Sequence, residues 1–310
     1  MGGPDVVEAA HTDTAHEELR PLMFSIAYRM TGSVGDAEDI VQEAFIRAYR
    51  AEESGTRLES PQAILATATT RLAIDHLRSA RVRRESYVGT WLPEPLVAES
   101  GPGPAECAEM ADSLSLAFLV LLESLSPVER AVFLLREVFG YEYGEIARTV
   151  GKSEPNCRQI FGRARHRIDE GRPRFEASRR QGAELTERFL TAVGGGDIEA
   201  FIDMLAPDVV FYGDGGGKGQ SIPAPIYGRE RVAWLMRGLG RRAQQLAMGA
   251  RPVQVNGQPG VMSLDQDGKV VAVMAFDVVD GQVQAIRSVV NPDKLRHLGA
   301  TSEAIARGDR

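Results

Sequence analysis

Cysteine is scarce in this chain, with two among 310 residues, Cys107 and Cys157. They match neither zinc nor redox spacing, and five scattered histidines suggest no metal site. The residues therefore imply no metal, no cofactor, and thiols that are buried or inert. Long apolar runs are lacking too. Nothing approaches the roughly 20 residues of a membrane-spanning helix, and the N-terminal MGGPDVVEAAHTDT has neither the basic region nor the hydrophobic core of a signal peptide. A cytoplasmic protein without a membrane partner is expected. Positive charge is the third shortage: 36 Lys and Arg face 43 Asp and Glu, a net charge of −7. Taken alone, that argues against nucleic-acid binding.

What is present is unevenly placed. Arginines gather at Arg78, Arg81, Arg83 and Arg84 and again from Arg158 to Arg174, while Asp36, Glu38, Asp39 and Glu43 concentrate acidity elsewhere. Two basic patches and one acidic helix imply partners of more than one kind. The length, with 43% hydrophobic and 25% charged residues, suits two or three globular domains.

The second basic patch lies in YEYGEIARTVGKSEPNCRQIFGRARHRIDEGRPR, residues 141–174. It reads as two short helices about a tight turn. Ile146, Ala147 and Val150 give the first an apolar side, Gly151 stops it, and Ser153 caps the next, with Pro155 tolerated in its first turn. Cys157, Ile160, Phe161, Ala164 and Ile168 recur at helical spacing, so one face is buried. The other face carries Arg158, Gln159, Arg163, Arg165, His166 and Arg167. This is the layout of a helix-turn-helix, whose second helix enters the major groove. Arginine pairs bidentately with guanine, and a positive face neutralises phosphates. Just upstream, Ser126 and Glu129 have capping-box spacing.

Earlier in the chain, Ala37, Ile40, Val41, Ala44, Phe45, Ala48 and Tyr49 form an apolar stripe in GDAEDIVQEAFIRAYR. A further helix starts at Ser60-Pro61 and takes Leu65, Ala68, Leu72 and Leu77 as its apolar side. Between the helical segments, YVGTWLPEPLVAESGPGPAE is rich in Pro and Gly and reads as an extended linker. Its Trp91, Leu92 and Leu96 need a surface to rest on.

Taken in order, DAEDIVQEAFIRAYR, LAIDHLRSARVRRE and LSPVERAVFLLREVFGYEYGEIARTVGKSEPNCRQIFGRARHRI resemble a group IV, or extracytoplasmic-function, RNA polymerase sigma factor over residues 17–170. The resemblance implies that Asp39, Gln42 and Glu43 dock on RNA polymerase core enzyme, at the clamp helices of its largest subunit. It implies that Arg71, Asp75, Arg78, Arg81 and Arg84 lie along the −10 element of promoter DNA. Arg158, Gln159 and Arg163 would face −35 bases. Two positions depart from the pattern. Ile64 stands where a tryptophan is often found, and Arg71 where an asparagine is common.

From Gln181 the character changes. Helices are expected over 183–193, 197–205 and 229–239, and strands over 209–214, 270–279 and 283–290, the last two joined by an Asp280-Gly281 turn. This order resembles the SnoaL-like branch of the NTF2-like fold, over most of residues 182–298. Such a fold implies a pocket able to take a small-molecule ligand. In DGGGK (Asp214, Gly215, Gly216, Gly217, Lys218) the glycines let the backbone approach a partner closely. In NPDKL, Asn291 caps a helix with Pro292 in its first turn, followed by Asp293. WLPEPL, DGGGK and NPDKL together resemble the sigma-factor branch with a fused SnoaL-like regulatory domain. That implies regulatory contacts at these motifs and control of activity in cis.

The expected fold class is therefore multidomain: two all-α sigma domains, the second with a helix-turn-helix, then an α+β SnoaL-like cone. The expected boundaries are 1–84 (region 2), 85–110 (linker), 111–172 (region 4), 181–300 (SnoaL-like domain) and 301–310 (tail). Two alternatives belong to other classes. A ligand-sensing helix-turn-helix repressor would not need GDAEDIVQEAF. A SnoaL-like enzyme fused to a DNA-binding module would rest on Asp214 and Tyr212 for acid–base work, and no paired catalytic set converges in the sequence.

Overall fold

The computed structural model describes residues 5–53, 60–85, 87–99, 114–171, 198–218 and 224–302, with 188, 191 and 222 as single positions. The side chains of Arg81 and Arg84, Cys107, and most of the helix expected over 183–193 lie outside the described residues. The chain divides into two units, Met1–Glu85 with Leu122–Gly171, and Ser86–Leu121 with Arg172–Arg310.

In the first unit, α1 (Asp5–Thr31), α2 (Val34–Glu53) and α3 (Pro61–Glu85) pack on one another. The α2 stripe is buried from Ala37 to Ala48, with Phe45 and Tyr49 at its rim. Helix α3 departs from its expected face. Its core side runs Leu65, Ala66, Thr69, Thr70, Ala73, Ile74 and Leu77, leaving Ala68 and Leu72 half-buried. Two threonines disguise that face in the sequence; the Thr69 hydroxyl reaches the Met23 sulfur at 3.4 Å.

After α4 (Leu116–Leu122), the chain forms α5 (Pro127–Glu137), α6 (Tyr143–Val150) and α7 (Glu154–Gly171). Val132, Leu135, Ile146, Ala147, Cys157 and Ile160 make their common core. Cys157 is a buried free thiol. Gly151 ends α6 at φ 68°, where a side chain would be strained, and Lys152 N–H closes the turn onto Ala147 O at 3.1 Å. Ser126 opens α5 with a complete capping box, its hydroxyl on Glu129 N–H and the Glu129 carboxylate on Ser126 N–H.

In the second unit, β1 (Val97–Glu99), β2 (Leu205–Asp214), β3 (Ile226–Tyr227), β4 (Gly249–Val255), β5 (Gln258–Leu264), β6 (Val270–Val279) and β7 (Gln282–Val289) form one sheet, ordered β1-β4-β5-β6-β7-β2-β3. All neighbours are antiparallel except β2 and β7. The linker itself supplies β1, with Val97 opposite Val255. The Asp280-Gly281 turn joins β6 to β7 as expected, at φ 49° and 74°. A second hairpin, which the sequence reading missed, turns through Asn256-Gly257 between β4 and β5 at φ 53° and 76°.

Helix is shorter than expected after residue 197: α8 covers only Glu199–Ile202, and β2 begins at Leu205. With α9 (Arg229–Gln245), α8 packs one sheet face through Phe201, Val232, Met236, Phe276 and Ile286. The opposite face buries Leu92 and Leu116 among Val255, Val273, Val289 and Leu295. The linker is thus built into the core of this unit. It is not a free tether.

Ser126→Ala removes one half of the capping box and should lower unfolding stability by about 1 kcal/mol. Urea titration should show an earlier midpoint with an unchanged slope.

Candidate functional site

The Asp214 carboxylate, at the end of β2, is fully buried. It accepts Leu92 N–H at 2.7 Å, Lys294 Nζ at 2.7 Å, and the Tyr87 hydroxyl. Lys294 Nζ also donates to Leu92 O and sits 4.7 Å and 4.5 Å from the ring centres of Tyr87 and Trp91. Burial, then the bond to Asp214, pushes the Tyr87 phenol well above its ordinary pKa. Every strong group here has a partner, as a buried charge requires.

The motifs singled out in the sequence meet at this point. The Asp214 carbonyl accepts Val290 N–H at 2.8 Å and Asn291 N–H at 3.0 Å, so β2 ends directly against the start of NPDKL. Asn291 caps the 3-10 turn Pro292–Lys294 through Asp293 N–H and donates its amide to Tyr87 Oη at 3.0 Å. Gly216 is at φ 57°, and a Cβ there would overlap the Asn291 amide and lie 3.1 Å from Tyr87 Oη. Gly217, at φ 72°, lies against Val88. The glycines are therefore required twice over, by conformation and by contact. Gly215 O receives Lys218 N–H at 3.0 Å, and the Lys218 ammonium pairs with Asp293.

Further along the linker, Asn256 brackets Leu96. Its Oδ1 accepts Leu96 N–H at 2.9 Å, its own N–H donates to Leu96 O at 2.8 Å, and its Nδ2 reaches Leu114 O at 2.9 Å. His297 Nε2 lies 2.8 Å from Pro95 O. Tyr87, Asn256, Lys294 and His297 were not among the sequence candidates. For Asn256 a signal existed: Asn-Gly is the strongest short hairpin cue.

The first unit carries the charged faces. On α2, Asp39 and Gln42 are exposed, while Glu43 pairs with Arg47 at 2.8 Å. On α7, Arg158, Gln159 and Arg163 are all exposed. The Arg158 guanidinium lies 4.6 Å from the Tyr143 ring centre, with Arg136 stacked on the same ring at 5.0 Å. It also bonds Glu154 at 3.2 Å, so this side chain is held in place. On α3, Asp75 and Arg78 pair at 3.1 Å in the open.

Arg71 is placed otherwise than Asp75 and Arg78. It donates to Thr149 O at 2.9 Å and Arg148 O at 2.7 Å, closing the C-terminal carbonyls of α6, beside a Thr67–Thr149 hydroxyl contact of 3.0 Å. The reciprocal cap runs the other way. Buried Arg130 of α5 donates to Met30 O at the end of α1 at 2.6 Å and pairs with Glu123. Nearby Arg29 lies 5.5 Å from the Phe139 ring centre, and burial lowers its pKa to about 10. Two arginines thus stitch the three-helix bundle to the helix-turn-helix.

The two groups on which an enzymatic reading rests are each engaged with other residues. Asp214 is taken up by three donors, and the Tyr212 ring lies under Arg287 at 5.1 Å. Arg287 is itself buried, its pKa lowered to about 10 by desolvation, and paired with Asp277.

Comparison with known proteins fits this geometry. Residues 15–83 match the family Sigma-70 region 2 and residues 115–168 match Sigma-70, region 4. The ECF RNA polymerase sigma factor SigJ of Mycobacterium tuberculosis is 36% identical, over 90% of this chain and 91% of that protein. The probable ECF RNA polymerase sigma factor SigI of the same organism is 34% identical over 91% and 93%. The crystal structure of the extracytoplasmic function sigma factor SigJ from M. tuberculosis superposes with a TM-score of 0.72 at 33% identity, covering 91% of this chain and 98% of that one.

Removing the Asp214 carboxylate strands a buried ammonium, a phenol and an amide. Asp214→Ala should weaken linker docking by about 3–5 kcal/mol. The double variant Asp214→Ala/Lys294→Met should cost less than the two single changes added together. Hydrogen exchange at the Leu92 amide reads this directly. Unchanged protection in Asp214→Ala would show that the carboxylate does not hold the linker.

Proposed function

Because the chain belongs to the extracytoplasmic-function RNA polymerase sigma factors, we propose a division of labour among its exposed faces and its linker clamp. As a sigma factor it directs RNA polymerase core enzyme to promoters, in the cytoplasm and with no catalytic role of its own. The acidic face of α2, with Asp39, Gln42 and Glu43, docks on the clamp helices of the largest polymerase subunit. Helix α3 follows the −10 element through Asp75, Arg78, Arg81 and Arg84. Arg71 joins them only after releasing the α6 carbonyls. On α7, Arg158, Gln159 and Arg163 read the −35 element.

Control in cis is carried by the buried clamp. In the linker, Leu92 is held by Asp214 and Lys294, Trp91 lies against Lys294 and Leu96 is bracketed by Asn256, while Gly216 and Gly217 of the glycine turn approach Tyr87 and Val88 and Asn291 bonds Tyr87. The single observation behind this reading is the Asp214 carboxylate, which binds the linker through Leu92 and Tyr87 and the C-terminal segment through Lys294. The linker joins regions 2 and 4, so whatever fixes the linker constrains both. A clamp worth a few kcal/mol holds about 99% of molecules in one state, since each 1.4 kcal/mol is tenfold.

Arg158→Ala or Arg163→Ala should cost about 1–3 kcal/mol of base discrimination at −35. The check is binding of reconstituted holoenzyme to matched promoter variants. Intact selectivity in both would remove the recognition-helix assignment.

Run-off transcription tests the regulatory reading. The intact chain is compared with a form trimmed from Asn291 and one ending at Gly171. Trimming removes Lys294 and should raise transcription above the intact level. The form ending at Gly171 loses every contact that orders the linker and should behave differently from the trimmed one. Equal activity from all three would make the extension a passenger.

A further inference from the structure

Trp234 of α9 is 72% exposed, and Tyr227 of β3 is 59% exposed. With Pro225, Ile226, Glu230 and Arg231 they line an open groove of about 410 Å³. Large aromatic side chains left in water on one patch mark interaction surfaces more than chance exposure. The patch has further properties. Among the described residues β3 is the last strand of the sheet, paired on one side only. Gly238 follows Trp234 by one helical turn, and none of the described residues lies within 4 Å of the place its Cβ would occupy. Packing against the described residues gives no reason for a glycine inside this helix, although glycine is a poor helix former. Glu230 and Arg231 are adjacent, and neither forms an ion pair with a described residue.

We propose that this face binds a second copy of the chain, with Trp234 of each copy seated in the groove of the other. The argument for a second copy is self-complementarity. A two-fold contact joins one patch to itself, so that patch must carry both halves of every pair. Here the projecting indole and the recess lie side by side, as do the acid and the base. Across the two-fold, Glu230 of one copy meets Arg231 of the other, and Gly238 lets the facing helix come close. An unlike partner would need one half of each pair. For a polyanion such as DNA, Glu230 in the groove's lining would offset the attraction of Arg231. Tryptophan, tyrosine and arginine are also the residues that dominate binding energy at interfaces.

The test uses the full chain, with mass measured by light scattering and sedimentation equilibrium over a range of concentrations. A monomer–dimer equilibrium is expected, and Trp234→Ala should raise its dissociation constant at least tenfold. Glu230→Arg and Arg231→Glu should each weaken the dimer. The double exchange Glu230→Arg/Arg231→Glu should restore it to within a few-fold of the original, which a purely structural effect would not do. All four changes lie on the surface, and thermal melting confirms that they fold. A chain that stays monomeric at its highest soluble concentration overturns the proposal. So does a dimer indifferent to Trp234→Ala, or one that the double exchange fails to rescue.

Discussion

A carboxylate with no access to water is the constraint around which the sheet-bearing unit is built. Burying Asp214 would cost several kcal/mol unless its oxygens were satisfied. The chain satisfies them with groups far apart in sequence: Leu92 N–H, the Tyr87 hydroxyl and Lys294. Each donor then fixes something further. Leu92 brings its side chain into the hydrophobic cluster beneath β4 to β7. Tyr87 requires Asn291, and Asn291 requires Gly216. Lys294 requires an aromatic wall, which Tyr87 and Trp91 provide. The three motifs are one structural feature distributed along the chain. The same low dielectric that strengthens this cluster makes it intolerant of losing a single member, and such a node suits a contact that is either made or broken.

The arginines divide into two kinds, those taken up inside the protein and those left on its surface. Arg29, Arg130 and Arg287 are buried, and their partners are a stacked ring, a helix terminus or a carboxylate. Arg165 and Arg167 of α7 are engaged with Asp169 and Glu129. Each phosphate neutralised contributes roughly 0.9 to the salt slope of binding to duplex DNA. A slope estimated from arginine count would therefore overshoot one estimated from exposed, unpaired guanidinium groups. Buried and paired arginines also account for part of the basic composition of a chain whose net charge is −7. Much of the basic composition is structural, and the acidity lies on other faces.

The sequence made the local features legible and left the assembled ones hidden. Helix α7 shows its buried face through Cys157, Ile160, Ala164 and Ile168 because apolar residues at helical spacing have one economical arrangement. The caps at Ser126, Gly151 and Asn291 were readable for the same reason, as each is a contact within a few residues. Helix α3 misled because its core side includes Thr69 and Thr70, whose polarity masks burial. The linker was legible as extended and as needing a surface, but β1 within it was not, since a strand of three residues has almost no period of its own. The clamp was half visible. Asp214 and Asn291 stood out through their motifs, whereas Tyr87 and Asn256 act across 127 and 160 residues of separation. No local pattern encodes a partner that distant.

Arg71 shows how a departure from a family pattern acquires a physical meaning. A common asparagine at this position could not span the distance that the guanidinium covers to two carbonyls of another helix. Arginine can, with Nε on Thr149 O and Nη2 on Arg148 O. Hydrogen bonds from a charged donor contribute about 1.5–3 kcal/mol each, and the negative end of the α6 dipole adds to them. To reach a phosphate, the side chain must give up both bonds, and a phosphate contact returns a similar amount. The exchange is therefore close to balanced. An asparagine would have made no such cap and so would have had nothing to exchange. What the substitution adds at this position is a tie between α3 and the end of α6 that any outside partner of Arg71 has to displace.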